Sequence, residues 1–595
     1  MTIYDQRPWT ARYDAHVPRS LAPYPNWVMH DYLRKAAQNH PTQPVLLTTA
    51  KLPVVGRQTS SITYAQLDAA SDALAAALVD FGLKKGDRVA VVMPNSTAFG
   101  ITYFAILKAG GVVAATNPTY PPSKMQYQID DCDAEIVICL SLFYSLIKSI
   151  QSGTKVRKVI VANIKEYMAP LARVLFTLAR EKKDGHRVEL APGDVAFQEV
   201  LKQYAGRKPN VTVTPDDLAL FQYTGGTTGV SKGAMSTHRA LVSNTTQLQT
   251  WTGIAAGKLA NVDMKPTDAL YLGALPMFHA YGLVALLTQA VASGGRILLI
   301  PNPRDVDEVV DVIDYYKPNV LLGVPALYNA VNNHPRVTSG EVSLKSFVFN
   351  SSGAAALPPA TKREFEARAG GVISEGFGMS ETPVATHSNP LIGETRVGSI
   401  GLPLPDVDCR IVSLDDGVTP MPIGEPGELV IHALNLMMGY HKLPTETANA
   451  LRDVDGKRWL YTGDIAYMDE DGYFYIVDRK KDMALIGGFN VYPNVVEKVI
   501  KDHPGVLEVG VAAIPHPEKI GQESLKAWIV KQPDANLTEA EVIAHCEKFL
   551  APYEVPRRIS FISELPKTTV GKTLRRELIQ MEMQEFEKAK TPERG

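Results

Sequence analysis

The sequence predicts an α/β fold with a large N-terminal domain of βαβ-type sheet subdomains and a smaller C-terminal domain. Three observations carry this. Short apolar, β-branched runs (DRVAVVMP, AEIVICL, RKVIVAN, GRILLIP, PNVLLGVP, KSFVFNSSG) have the length of strands buried on both faces. Amphipathic stretches such as YAQLDAASDALAAALVDFG fall between them as crossover helices. Near residue 475 the texture changes: DEDGYFYIVDRKKDM reads as a turn, a strand and a charge run, with shorter strand and helix signals beyond. At 595 residues the chain exceeds one core, and length alone suggests roughly three to four folding units.

Composition narrows the function classes. Hydrophobic residues at 45% and charged residues at 21% describe a globular protein. With 61 basic and 63 acidic residues, no polyanionic partner is advertised, and nucleic acid is not the default target. Cys132, Cys139, Cys409 and Cys546 have no metal-ligand spacing, so they read as core thiols of a reducing compartment. The N-terminus has no apolar signal region, and no apolar run reaches the ~18 residues of a spanning helix. The expectation is a soluble, cytoplasmic protein.

Taken in chain order, one early segment breaks the α/β rhythm. PLARVLFTLAREKKDGH places Leu171, Val174, Leu175 and Leu178 on one helical face, followed by a basic end. It reads as a helix packed on the body of the protein or as one lying on a membrane surface.

The strand-like run Asp217 to Tyr223 leads into TGGTTGVSKG. Glycine N–H groups and the hydroxyls of Thr224, Thr227 and Thr228 suit phosphate oxygens, with Lys232 beside them. The P-loop register fails, because Ser231 precedes Lys232 and Gly233 follows it. A second near-miss, PKTTVGKTL, ends in Gly571-Lys572-Thr573, but Pro566 stands where the first glycine belongs.

Three further stretches carry weaker signals. LPMFHAYG holds His279 in an apolar, aromatic setting, where a satisfied core histidine is the plainer reading. In ISEGFGMSET, Phe377 between Gly376 and Gly378 can stack on a flat base, and Glu381 offers an oxygen suited to Mg²⁺. Asp464, after a Thr-Gly turn, can accept hydrogen bonds from vicinal hydroxyls.

The motifs YTGGTTGVSKGAM, LPMFHAYG, EGFGMSET, YTGDIAYMDEDGYFYIVDRKKDM, GGFNVYPNVVE and LPKTTVGKTLRREL occur in an order and spacing that resemble the adenylate-forming enzymes. Within these, the chain is most similar to bacterial-type long-chain fatty acyl-CoA synthetases, from about residue 25 to about residue 580. The resemblance implies ATP-dependent activation of a fatty acid to acyl-AMP, then transfer to coenzyme A with release of AMP and pyrophosphate. It implies a loop of Thr224, Gly225, Gly226, Thr227, Thr228, Gly229 and Lys232 over the phosphates, and Glu381 with Thr227 at Mg²⁺. Gly353, Ala354, Ala355, Glu375, Gly376 and Phe377 would frame adenine, with Gly378, Ser380 and Ile476 completing the nucleotide site. Asp464 and Arg479 would hold ribose.

Lys572 matches the lysine aimed at carboxylate and α-phosphate, and His279 the histidine beside the acyl pocket. The resemblance divides the chain into residues 1–477, a hinge at 478–481 with Lys481 at its pivot, and a mobile α+β domain, 482–595. There Gly487 and Gly488 would let pantetheine pass. Phe377, Ala354, Ala355 and Ser380 depart mildly from the family pattern, which more often has tyrosine, glycine-rich turns and threonine. A medium-chain or aryl (4-coumarate-like) acid stays open as substrate, as do peripheral membrane contact and a homodimer.

Overall fold

The structure, a computed structural model, describes residues 2–52, 55–224, 231–259, 262, 264–486, 489–516, 523–568 and 573–590, with side chains to 586. Two large sheets dominate the described residues. One has nine strands in the order Leu402–Pro403, His387–Ser388, Ile373–Phe377, Phe349–Ser352, Val320–Gly323, Leu270–Gly273, Arg296–Leu299, Pro44–Leu52 and Gly56–Thr63. Its middle strands pair in parallel and are almost wholly buried, as the near-continuous apolar runs require. The other has eight strands, with Val112–Ala115, Arg88–Val92, Ile136–Leu140 and Lys158–Ala162 as its parallel centre. Helices Tyr64–Asp80 and Thr97–Lys108 bury small and aromatic side chains in the core shared by both sheets.

A third, five-stranded sheet is antiparallel and was not foreseen as a separate layer. Asp408–Val412, Gly427–His432, Lys457–Met468 and Leu451–Val454 follow one another, and Phe474–Arg479 pairs with Lys457–Met468. From Ala484 onward the residues build cores of their own. Strands Val506–Pro515, Glu523–Lys531 and Arg558–Phe561 form a sheet against helices Pro493–Lys501 and Glu539–Cys546. The four cysteines are buried and unpaired.

The charge run beginning at Asp478 is tied to the fold at several points. Asp478 is fully buried, Lys480 Nζ donates to Glu428 at 2.8 Å, and Arg575 bonds Asp478, Asp482 and Glu497 at 3.3, 3.2 and 2.8 Å.

The helix Pro170–Ala179 is seated on the body, but not by its apolar stripe. Leu171, Val174, Leu175 and Leu178 are 45, 54, 39 and 80% exposed. Ala172 and the Phe176 ring against His186 form the inner side. Lys165 and Asn163 hold Glu181 at 2.6 and 2.9 Å, and His186 Nδ1 meets Ser141 Oγ at 2.9 Å. Among the described residues no helix is long and apolar enough to cross a membrane.

The C-terminal sheet encloses a buried ion cluster: Lys526 and Glu582, with side chains 3 and 0% exposed, form a pair that Arg558 joins at 2.8 Å. Removing one buried partner strands the other, so Lys526→Met is expected to cost about 3–5 kcal/mol. Denaturant unfolding should show a lower midpoint at an unchanged slope.

Candidate active site

One cleft of about 2710 Å³ gathers residues from all three large sheets and from the C-terminal segment. The end of the cleft at Gly353 and Glu375 is set by strand register. Phe349–Ser352 and Ile373–Phe377 run parallel with Ser352 opposite Glu375, so Gly353 to Ala355 and Glu375 to Phe377 emerge side by side at carboxyl ends. That is where open α/β sheets place ligand loops. Ala354 has φ +70°, a conformation that costs a non-glycine residue about 1–2 kcal/mol, so the substitution at this turn carries local strain. A Cβ on Gly378 would lie 1.3 Å from the Val384 carbonyl oxygen, so only glycine fits there. Gly376, Phe377, Gly378, Ser380 and Glu381 all line the cleft.

The TGGTTGVSKG loop joins antiparallel neighbours, Leu218–Tyr223 and Gly233–Thr237, with Tyr223 opposite Gly233. A P-loop joins a strand to a helix, which is the structural reason the register at Lys232 differs. Thr224 N–H donates to the Lys232 carbonyl at 2.9 Å and closes the stem, and both residues line the cleft. The Lys232 ammonium pairs with Glu446 and sits 5.1 Å from the centre of the Tyr440 ring. Tyr440 Oη donates to Glu381 Oε1 at 2.6 Å. Tyr440 and Glu446 were missed by sequence reasoning, since nothing in GYHKLPTET marks them locally.

The antiparallel register puts Asp464 opposite Arg479, and their side chains pair at 2.6 Å with Asp464 nearly buried. Ile476 and Lys481 line the same cleft.

His279 lies in a turn fastened by Asn95. Its amide donates to the Gly273 and Leu275 carbonyls at 2.8 and 2.7 Å and accepts from Met277 N–H at 2.7 Å. Asn95 too carried no motif. The turn opens directly into a π-helical run, Tyr281–Thr288, of the kind that recurs at functional sites. Gly282 permits it, because a Cβ there would meet the Pro276 carbonyl oxygen at 2.1 Å.

Gly225, Gly226, Thr227, Thr228, Gly229, Gly487, Gly488 and Lys572 lie outside the described residues. Lys567, Thr568 and Thr573, which flank Lys572, line the cleft.

The comparisons with known proteins agree with this architecture. Residues 33–441 match the AMP-binding enzyme family, and residues 495–572 match the AMP-binding enzyme C-terminal domain. The chain belongs to the AMP-binding enzyme family. The matched stretches cover the two large sheets, the cleft loops at Lys232, Ala354 and Glu381, and much of the C-terminal unit, with residues 442–494 between them. Among relatives within the family, the long-chain-fatty-acid–CoA ligase of Bacillus subtilis is 35% identical, covering 98% of this chain and 99% of its own. That of Yersinia pestis is 36% identical, covering 96% and 98%. The crystal structure of ATP-bound MatB from Rhodopseudomonas palustris superposes with a TM-score of 0.77 at 27% identity, covering 93% of this chain and 99% of that one.

His387 packs between Phe377 and Phe474, with ring centroids 5.8 and 5.1 Å away, and burial pushes its imidazole from 6.5 down to about 3. The unfolded chain thus takes up a proton that the folded chain refuses, and stability is lost as pH falls from 6.5 towards about 3. His387→Phe is expected to flatten the pH dependence of the denaturation midpoint across that window. An unchanged slope would mean that the buried ring accepts the proton after all.

Proposed function

We propose that the chain is an ATP-dependent ligase that activates a long-chain fatty acid and transfers it to coenzyme A. The observation that carries this is one cleft whose lining holds both the motif loops at Lys232, Ala354 and Glu381 and, with His279, the largely apolar side chains Trp251, Tyr271 and Ala285. Near-full-length relatives named long-chain-fatty-acid–CoA ligases support the substrate class. In the first step a carboxylate oxygen attacks the α-phosphorus of ATP and pyrophosphate leaves. In the second the thiol sulfur of coenzyme A attacks the acyl carbonyl carbon, AMP departs and the thiol proton is released. The first step needs no general base, because the nucleophile is already ionised.

Each side chain has work that its chemistry suits. Thr224 to Gly229 and Lys232 hold the β- and γ-phosphates. The Lys232–Glu446 pair, with Glu446 44% exposed, is worth at most about 1 kcal/mol, so a phosphate can displace Glu446 at little cost. Gly353 to Ala355 and Glu375 to Phe377 frame adenine, Gly378, Ser380 and Ile476 complete the nucleotide pocket, and Asp464 with Arg479 accepts and steadies ribose. Lys572 brings a compact cation to carboxylate and α-phosphate, two anions that otherwise repel. His279 orients the acyl end. Lys481 is the pivot of a hinge at 478–481 between domains 1–477 and 482–595. Gly487 and Gly488 give pantetheine room.

The donor set fits Mg²⁺. Glu381 lines the cleft with its carboxylate, and Thr227, outside the described residues, would add a hydroxyl. Mg²⁺ is commonly bound by one or two carboxylates together with substrate phosphates. Bound there, Mg²⁺ offsets the charge of the leaving pyrophosphate.

We further infer that the segment Pro170 to His186 rests on an anionic lipid surface. Its four outward apolar side chains run into exposed Lys182, Lys183 and Arg187, while Glu181, nearby, is buried and paired. Apolar area plus basic charge is what interfacial helices use.

Purified protein with ATP, Mg²⁺, palmitate and coenzyme A should yield AMP and palmitoyl-CoA. Competing palmitate against 4-coumarate by kcat/KM decides the acid class. Lys572→Ala should slow pyrophosphate exchange by about 10²–10³-fold while thioester formation from supplied acyl-AMP persists. Equal loss of both steps would refute the assigned role.

Sedimentation with phosphatidylglycerol vesicles tests the lipid surface: the double variant Val174→Asp, Leu178→Asp should stay in the supernatant. Undiminished sedimentation would end that reading. A changed oligomeric state with vesicle binding intact would assign the face to a second copy of the chain.

A further inference from the structure

One lysine of the cleft has no part in the proposed chemistry. Strands Val112–Ala115 and Leu218–Tyr223 are parallel neighbours with Ala114 opposite Phe221, so Asn117 and Thr224, each three residues further on, leave the sheet at the same level. The segment after Asn117 leads into the helix Pro122–Asp131, whose first turn carries Lys124. Asn117, Tyr120 and Lys124 line the cleft, as do Thr224 and Lys232.

The helix is fastened to the stem of the loop that holds Lys232. Asp131 Oδ2 accepts from Tyr223 Oη at 2.6 Å, and Tyr127 Oη donates to the Ser231 carbonyl at 3.3 Å. Lys124, Tyr127 and Asp131 are spaced i, i+3, i+7 and share the face that makes these contacts.

Lys124 sits there against local preference. A cation in the first turn meets the positive end of the helix dipole. The side chain is half-buried, and among the described residues no carboxylate pairs with it. Its ammonium stands 4.0 Å from the centre of the Tyr120 ring instead. Partial burial lowers its pKa, with no acidic neighbour to offset the effect. By contrast, Lys148 pairs with Asp194, and Lys232 with Glu446.

We propose that Lys124 is a phosphate-binding residue that holds the terminal phosphate of ATP, the end that departs in pyrophosphate. The inference rests on the ligase reading and adds a second cation to its phosphate site. A triphosphate brings more negative charge than Mg²⁺ and Lys232 together neutralise, and a half-buried ammonium without a carboxylate gains from an anion what it lacks in the fold. The Tyr120 ring holds the ammonium in place and does not compete for it as a carboxylate would. The phosphates of coenzyme A share this chemistry. Attachment of the helix to the stem at Tyr223 and Ser231 favours ATP.

The test is calorimetric titration of the full chain with Mg·ATP and, separately, with AMP, which lacks the terminal phosphate. Lys124→Met, which keeps the length and removes the charge, should weaken Mg·ATP binding by about tenfold or more and leave AMP binding unchanged. Inhibition of palmitate turnover by pyrophosphate should weaken in parallel, with KM for coenzyme A unaltered. Lys124→Arg, which keeps the charge, should recover most of the ATP affinity and guards against misfolding of one variant. Equal weakening of ATP and AMP, or a loss confined to coenzyme A, overturns the inference. If the wild-type chain and Lys124→Met bind Mg·ATP equally well, only this inference falls. If the wild-type chain binds no ATP, the underlying ligase reading falls first.

Discussion

The ion pair between Asp464 and Arg479 is the contact on which the cleft and the C-terminal attachment both depend. Burying a carboxylate as deeply as that of Asp464 is costly without a charged partner, and the antiparallel register supplies Arg479 2.6 Å away. Slipping that register by one residue would leave the two side chains on opposite faces of the sheet. The strand that delivers Arg479 also ends in buried Asp478, whose carboxylate accepts from the Arg479 and Asn494 backbone N–H groups at 2.7 Å and from Arg575. One edge of one sheet thus forms part of the cleft wall and ties down the first residues of the next unit.

The ion pairs facing the cleft are of two kinds. Asp464 and Arg479 are locked into the fold, as are Asp478 and Arg575. Lys232 and Glu446 form a pair that water reaches, and Tyr440 lies between that pair and Glu381, touching both. An exchangeable cation such as Lys232 set in a rigid frame suits a site that must admit a polyanion and then release it. Preorganised groups stabilise developing charge without moving at the moment of reaction, whereas groups that bind and let go need a cheap alternative partner.

Much of this was legible in the sequence, for identifiable reasons. Buried parallel strands announce themselves as apolar runs, and RKVIVAN and GRILLIP became the strands Lys158–Ala162 and Arg296–Leu299. The cleft-lining residues at Thr224, Lys232, Glu375 to Glu381 and Asp464 were legible because each sits in a short, locally distinctive motif. Asn95, Tyr440, Glu446 and Arg575 were not. Asn95 braces a turn some 180 positions away, and Tyr440 reaches Glu381 across 59. Such contacts have no local period or composition, so they exist only once the sheets are assembled. The antiparallel sheet between residues 408 and 479 escaped notice for a similar reason: its strands alternate burial irregularly and resemble loops in a one-dimensional reading.

By itself, the sequence determined the fold class, the chemistry available at each motif and the failure of the P-loop register at Lys232, all of which depend on neighbours within a few residues. Only the tertiary structure decided which of those motifs share one cleft, and that the loop at Lys232 joins antiparallel strands. Only it decided, too, which way an apolar stripe faces: helical periodicity shows that Leu171, Val174, Leu175 and Leu178 share a side, but not whether protein covers it. What lies opposite a face is set by segments distant in the chain, and a sequence pattern holds no information about them.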